Sequence, residues 1–343
     1  MKTRTTMRVM LAGVALVVGS SAARAQSPCA SAAVQVQDVC RKAADLVGFM
    51  TPQLSTALVG GNPTLGQGGA LGGLGHFSLD LRASAVNGSV PKLTGVTLSI
   101  SGEQPSTFTS EQKIVPAASL DAAVGVWKGL SLGVTHVGGI DGILTATYLP
   151  NVNDSNGAGD VSFKVNGSNW KVGYGVRVGL LEEGVAWPGV SFVWAKRDLP
   201  SVSANGTIAS QGLAPQGTLA LNDYTVKTTA WRLTAAKNLL VFGLSAGYGK
   251  DKYDATSTVV THVDATVVTP PQNATVSVPV SMTRSNFFVG AAINLIIFKI
   301  EGEYGAVSGG TVPSLRNSFG AGDANALANK SRSYFTVGLR FGM

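Results

Sequence analysis

The residue types that could do covalent chemistry in this chain are few, and their spacing argues against it. Two G-x-S-x-G sequences occur, around Ser131 and Ser245. A serine in that motif is a nucleophile only on a strand-to-helix elbow backed by a histidine and an acid. Ser131 falls in a short turn and Ser245 within an alternating strand pattern, so neither predicts catalysis. The histidines are His76, His136 and His262, and only His262, with Asp264 two residues on, lies in a long polar stretch. On a strand those two share a face, although a solvated histidine explains the pattern as well. No cluster of His, Cys and carboxylates has metal-ligand spacing. Residues 151–160 carry acidic and amide oxygens without the register of a calcium loop. The glycine-rich tract 60–75 lacks the lysine of a phosphate-binding loop and the strand-to-helix setting of a dinucleotide fingerprint. No enzyme, metal or cofactor is expected.

Charge is instead laid out in alternation. The last eleven residues set Phe335, Val337, Leu339, Phe341 and Met343 on one face and Tyr334, Thr336, Gly338 and Arg340 on the other, which is the period of a strand. The same period puts Asp80, Arg82, Asp121, Asp141, Lys171, Arg177, Arg197, Arg232, Arg284, Lys299, Glu301, Glu303 and Arg340 on one side of their strands. Facing a closed interior, such charges must pair or stay hydrated, because an unpaired buried charge is costly. They predict either a salt-bridge lattice that holds the interior shut or a polar path with a basic excess. The opposite side carries Tyr148, Trp170, Trp194, Trp231, Tyr248, Tyr304 and Phe341 toward strand ends, where aromatic girdles meet a membrane surface.

Ten alternating segments run through residues 76–85, 119–126, 140–148, 170–180, 188–198, 226–237, 240–252, 283–294, 297–306 and 332–343. Long polar connections (88–117, 151–168, 199–225, 253–282 and 307–331) alternate with short ones near 129–136, 183–187, 238–239 and 295–296. Transmembrane barrels have that asymmetry, with short turns on the periplasmic side and long loops outside. The reading is an all-β, antiparallel up-and-down transmembrane barrel of ten strands, or twelve if 93–101 and 256–269 form strands of their own. Such a barrel is only slightly wider than the eight-strand size that side chains fill, so a wide pore is not expected. The mean hydropathy of +0.23 with 13% charged residues fits strands that show half their residues to lipid.

Residues 1–25 have the parts of a secretory signal: Lys2, Arg4 and Arg8, an apolar run over 9–18, and Ala23-Arg24-Ala25 as the cleavage site. These residues hold four basic and no acidic side chains, so a mature chain from Gln26 falls from +7 to +3. With no basic run interleaved with aromatics, nucleic acid is not an expected partner. Residues 26–75 do not alternate. Val39, Ala43, Leu46, Val47 and Met50 have helical spacing over 38–50, with Asp38 as a candidate N-cap. Cys29 and Cys40 would lie about 16 Å apart on one straight helix, against the roughly 7 Å a disulfide allows. In an oxidising compartment a bridge is expected, with the chain turning near residues 35–38. The expected division is therefore 1–25 signal, 26–75 a periplasmic or plug-like segment, and 76–343 the barrel.

Residues 76–343, with their alternating loop lengths and aromatic-ended last strand, resemble bacterial outer-membrane β-barrels. That resemblance implies membrane lipid around the barrel and the barrel-assembly machinery at the C-terminal strand as partners. A non-alternating segment with an Asn62-Pro63 step and a glycine-rich run, followed by a barrel, also resembles the plan of the long-chain fatty-acid transporters, which are larger barrels with an N-terminal plug. In strand number the chain resembles ten-strand outer-membrane proteases, which rely on an acidic pair and an Asp–His pair at the outer rim. The Ser–His–Asn set of outer-membrane phospholipases cannot be placed. The expected function is a structural or surface-interaction role through long outer loops. A narrow channel or transporter for small or hydrophobic solutes is second, and a hydrolase is a distant third.

Overall fold

The computed structural model describes residues 27–93, 96–133, 135–149, 152–153, 162–208, 217–264, 270–295, 297–310, 315–320 and 328–342. The expected signal sequence, Gln26, most of the stretch 151–160 and Met343 lie outside the described residues. One helix, α1 (Val34–Val59), precedes ten long strands. They are β1 (Phe77–Pro91), β2 (Ser110–Trp127), β3 (Gly139–Tyr148), β4 (Trp170–Leu181) and β5 (Gly189–Asp198). They continue as β6 (Gly217–Leu239), β7 (Phe242–Val263), β8 (Gln272–Asn294), β9 (Phe298–Val307) and β10 (Arg332–Gly342). Each pairs antiparallel with the next, and β10 pairs back onto β1, so the ring closes. Closure is what lipid demands, because a free edge would leave a row of unpaired N–H and C=O groups there. The count is ten. The described residues of 93–101 form no strand, and 256–263 lengthens β7.

Two expected long connections are largely sheet. β6, β7 and β8 run 23, 22 and 23 residues, about twice the 9–11 that a membrane strand needs. They rise as a tall hairpin wall, with Val259, Val263, Val278 and Val280 buried on its inner side. Pro279 makes 272–282 read as a loop. It is tolerated because β9 reaches β8 only as far as Asn286, which leaves one side of the strand unpaired at Pro279. Pro116 sits likewise beyond the Ala118 end of the β2–β3 pairing. Proline in a sheet is confined to such edges.

The helix is longer at both ends than residues 38–50. Asp38 is not its N-cap, and Ala33, which precedes the helix, makes no side-chain cap bond. Asp38 instead pairs with Lys42 at 2.5 Å and accepts the N–H groups of Ser99 (2.7 Å) and Gln104 (2.9 Å). The turn that brings the cysteines together precedes the helix, where Ala30 and Ala32 bond back to Ser27 and Cys29. Cys29 thereby doubles onto Cys40, with the Cα atoms 5.9 Å apart in the disulfide. The helix continues through Pro52; on either side of it Thr51 bonds the carbonyl of Val47 and Gln53 that of Phe49.

α1 stands inside the ring, packed against β1, β2, β5, β6, β7, β8 and β10. Small inward residues make the room: Ser84, Ala195, Thr228, Ala230 and Ala255. Its N-terminal half shares an apolar core with the tall wall, where Val36, Val39, Val47 and Phe49 meet Tyr224, Val226, Val259 and Val280. At the loop end Phe319 stacks between Phe49 and Phe108, with ring centroids 4.2 and 5.0 Å away.

Outside, Leu81, Leu144, Val172, Leu244, Ile300 and Leu339 are exposed and form an apolar belt. Phe341 lies between Phe77 and Phe298 at its short-turn end. Tyr148 with Trp170, Tyr174 with Trp194, and Trp231 with Tyr248 bound the loop end, joined by Tyr304 beside Phe335. This is the surface of a membrane-spanning barrel. Leu339→Arg and Val176→Arg should each cost about 2–4 kcal/mol, read as a lower urea midpoint for loss of heat-modifiable gel migration, while Leu339→Phe should be neutral. Inward positions are not open either. Thr336 is fully buried and bonded to Ser84 at 3.0 Å, and a Cβ on Gly175 would fall 2.7 Å from the Trp194 carbonyl oxygen. Thr336→Arg and Gly175→Arg should therefore damage the barrel at least as much.

Candidate functional site

Below the apolar core, the C-terminal end of α1 and residues 60–75 meet the inward charges. The last carbonyls of a helix lack partners within it and carry the negative end of its dipole. α1 has no basic residue in its last turn; the barrel wall supplies the cations. The Val59 carbonyl oxygen accepts from Arg197 Nη2 (3.3 Å) and Arg232 Nη2 (3.1 Å). Arg82 Nη1 donates to the carbonyls of Gly60 (3.0 Å) and Gly61 (2.8 Å), and Ser84 Oγ to Gly60 (3.1 Å). Gly61 has φ +80°, and a Cβ there would stand 2.8 Å from Thr336 Cγ2, so only glycine lets the chain pass so close to the wall.

The same arginines are held from behind by acids. Arg82 Nε bonds Asp121 at 3.0 Å, and Thr145 donates to that carboxylate at 2.6 Å. Arg232 pairs with Asp251, which also accepts from Asn286 at 2.7 Å. Arg177 pairs with Asp141 at 2.6 Å, and Asp141 also accepts the Leu71 N–H at 3.1 Å. Arg340 bonds Asp80 (2.8 Å) and the carbonyl of Leu65, and lies 3.5 Å from Glu301. Lys299 bridges Glu301 (2.8 Å) and the Gly66 carbonyl (3.1 Å). Glu303 accepts from Tyr334 (2.9 Å) and the Asn62 N–H (3.4 Å), while Asn62 Nδ2 donates to Thr234 at 2.9 Å. Arg197 has no carboxylate within 4 Å among the described residues and donates to Val59 alone. Arg284 holds the carbonyls of Ala328 (2.9 Å) and Lys330 (3.3 Å) rather than residues 60–75.

Of the two readings of the inward charges, the lattice is the one this geometry supports. Lys171 departs from it, exposed at the loop end of β4, and Arg197 and Arg284 meet carbonyls but no acid among the described residues; Lys299, though only partly buried, pairs with Glu301. Asp251, the partner of Arg232, was not among the expected lumen charges. Its place three residues after the outward Tyr248 puts it on the inner face, and parity alone could have found it. At the loop end, burial pushes the Lys42 ammonium down, against the bond and charge of Asp38. Burial also pushes the Asp45 carboxyl up, against the charge of Arg41 and the N–H groups of Asn317 and Arg316.

His262 and Asp264 do share a face, with Nε2 3.3 Å from Asp264 Oδ1, and Nδ1 lies 2.6 Å from Asn273 Oδ1. Both ring nitrogens are engaged at an exposed hairpin tip. Among the described residues no group of His, Cys and carboxylates could hold a metal.

No family model matches the chain, and no curated relative does. Among solved structures it is similar to the outer membrane protease OmpT of Escherichia coli, at 10% identity over 78% of this chain and 97% of that one (TM-score 0.40). It is also similar to the Ralstonia pickettii toluene transporter TbuX, at 10% identity over 84% and 93% (TM-score 0.35). A FadL homologue of Pseudomonas aeruginosa matches at 10% identity over 86% and 97% (TM-score 0.26). These likenesses are of plan and transfer no residue's role. The closed ring, the apolar belt and the aromatic girdles make this chain an outer-membrane β-barrel.

Removing one partner of a buried pair strands the other, so Arg232→Met should cost about 3–5 kcal/mol, and Arg232→Met with Asp251→Leu should recover most of that loss. Arg197→Met, which strands no acid, should cost only about 1–3 kcal/mol. Urea unfolding of the reconstituted barrel reads all three.

Proposed function

We propose that this chain is an outer-membrane barrel with a filled, non-conducting interior and a structural or surface-interaction role carried by its outer loops and tall wall. Residues 26–75 are its plug. The observation that carries the reading is the grip on the chain at Val59–Gly61, where Arg82, Arg197 and Arg232 hold three successive carbonyls. From there the segment fills the interior both ways, to the disulfide at the loop end and past Leu71 toward β1 at the short-turn end. Each hydrogen bond to a charged group contributes about 1.5–3 kcal/mol. Withdrawing the segment would leave several guanidinium groups facing an emptied cavity.

A second reading, a gated path for small or hydrophobic solutes, draws support from the polar lower interior, where water could replace the carbonyls. The Phe49–Phe319–Phe108 stack and the apolar core around α1 oppose it, because they close the outer mouth with packed apolar contacts, and the Cys29–Cys40 bridge stiffens the segment that makes them. A hydrolase has least support: Ser131 stands opposite His136 across a short pairing, but no side-chain hydrogen bond joins them among the described residues, and Ser245 pairs with Gly290 within the barrel wall.

In planar bilayers the intact protein should be silent. Deleting residues 27–60 should open conductance steps or small-solute uptake while heat-modifiable migration is kept. An intact barrel with unchanged permeability after the deletion would refute the plug, and openings in the full-length protein would favour the gated path.

A further inference from the structure

The outer surface just beyond the loop-end girdle is uneven in charge. On β5, β6 and β7, which are adjacent in the ring, the pairing register arranges the outward residues in three rows. Trp194, Trp231 and Lys250 form the row at the girdle. Lys196, Thr229 and Lys252 form the next, and Asp198, Lys227 and Asp254 the one above. With strands about 4.8 Å apart, four lysines fall within a patch about 10 Å wide. The acids lie in the row farthest from the membrane, where Lys252 meets Asp254 at 3.1 Å and is still more than half exposed. Lys196 and Lys250 have no carboxylate within 4 Å among the described residues. Elsewhere around the ring the described outward positions at this height are neutral: Asn87, Gln112, Thr283, Ala306 and Ser333. The cations therefore form a patch on one flank rather than a general band.

We infer that this flank binds the phosphorylated headgroup of a lipid in the outer leaflet. The patch stands at headgroup height, directly above the tryptophans that border the acyl region. Lysine ammonium groups on long stems reach up and sideways and meet phosphate as point charges. Basic clusters at a membrane surface draw anionic lipid. Two of the four lysines lack protein counter-charge on the side that faces the membrane, which is where a lipid phosphate would sit. The bound lipid would pack its chains against Trp194, Trp231 and the belt below them.

The test compares the full-length protein with K196Q/K250Q/K252Q and with K196R/K250R/K252R, each first shown to keep heat-modifiable migration. Each is placed in phosphatidylcholine nanodiscs that hold either a diphosphorylated glycolipid or its dephosphorylated form. Lipid retained after detergent extraction is counted by mass spectrometry. The parent protein should retain the phosphorylated lipid at least tenfold over the other form. The glutamine variant should lose that preference, on the order of fivefold per charge, and the arginine variant should keep it. K92Q/K113Q/K128Q, away from the patch, should bind as the parent does. Equal retention by parent and glutamine variant would overturn the inference, as would equal loss in the K92Q/K113Q/K128Q control. Displacement by millimolar inorganic phosphate as complete as by the lipid would also overturn it, because the site would then be one for a free anion.

Discussion

A guanidinium group cannot shed its charge, so an arginine turned into a closed barrel needs an acceptor that the fold itself delivers. Here the wall sends Arg82, Arg177, Arg197, Arg232 and Arg340 inward, all buried. Carboxylates on neighbouring strands take up part of their hydrogen-bonding capacity. Arg82, Arg197, Arg232 and Arg340 give a further part to backbone carbonyls at the end of α1 and beyond it. The dependence is mutual. The helix has no basic residue of its own to cap its C-terminus, and the barrel has too few acids in place to satisfy its own cations. Each part supplies the other with hydrogen-bond partners that it lacks.

Along β6, β7 and β8 the polarity of the two faces reverses at the girdle. Within the membrane these strands are apolar outside and polar inside, with Leu233 and Leu244 outward and Arg232 and Asp251 inward. Above it they carry Lys227, Asp254 and Ser281 outward and Val226, Tyr253 and Val280 inward. The change follows the solvent. A strand that leaves lipid for water must show water its polar side, and its inner face is then free to form the kind of core found in soluble proteins. α1 spans both regimes, with its valines and Phe49 in the upper core and its carbonyl end among the arginines.

That reversal also explains what could be read from the sequence and what could not. The ten membrane segments were legible because each keeps one phase of alternation, apolar out and polar in. In the upper halves of β6 to β8 the alternation is broken in 257–263 and, where it is regular, as in 275–282, it runs in the opposite phase with Pro279 in it, so these stretches pass for loop. The disulfide was legible, but its turn was misplaced because nothing in residues 27–33 marks a turn as strongly as the helix signal around them. The inward charges were legible one by one from parity. Their partners were not, because Val59, Gly60 and Gly61 act through backbone atoms, and a carbonyl has no signature in a sequence.

The path of the N-terminal segment has a topological consequence. Its bridged knob lies at one mouth of the ring, and its other end joins β1 at the opposite mouth. A finished ring could receive such a segment only by having the knob threaded through it, past side chains that fill the bore. The segment must instead be in place when the ring closes. The seam between β1 and β10 is also where it is gripped hard, by Arg82 and Ser84 on one strand and by Arg340 on the other, with Thr336 packed against Gly61. The segment is thus enclosed as the last seam forms rather than inserted afterwards. The ten strands and their stagger set the diameter of the bore, and the segment is what the seam shuts in.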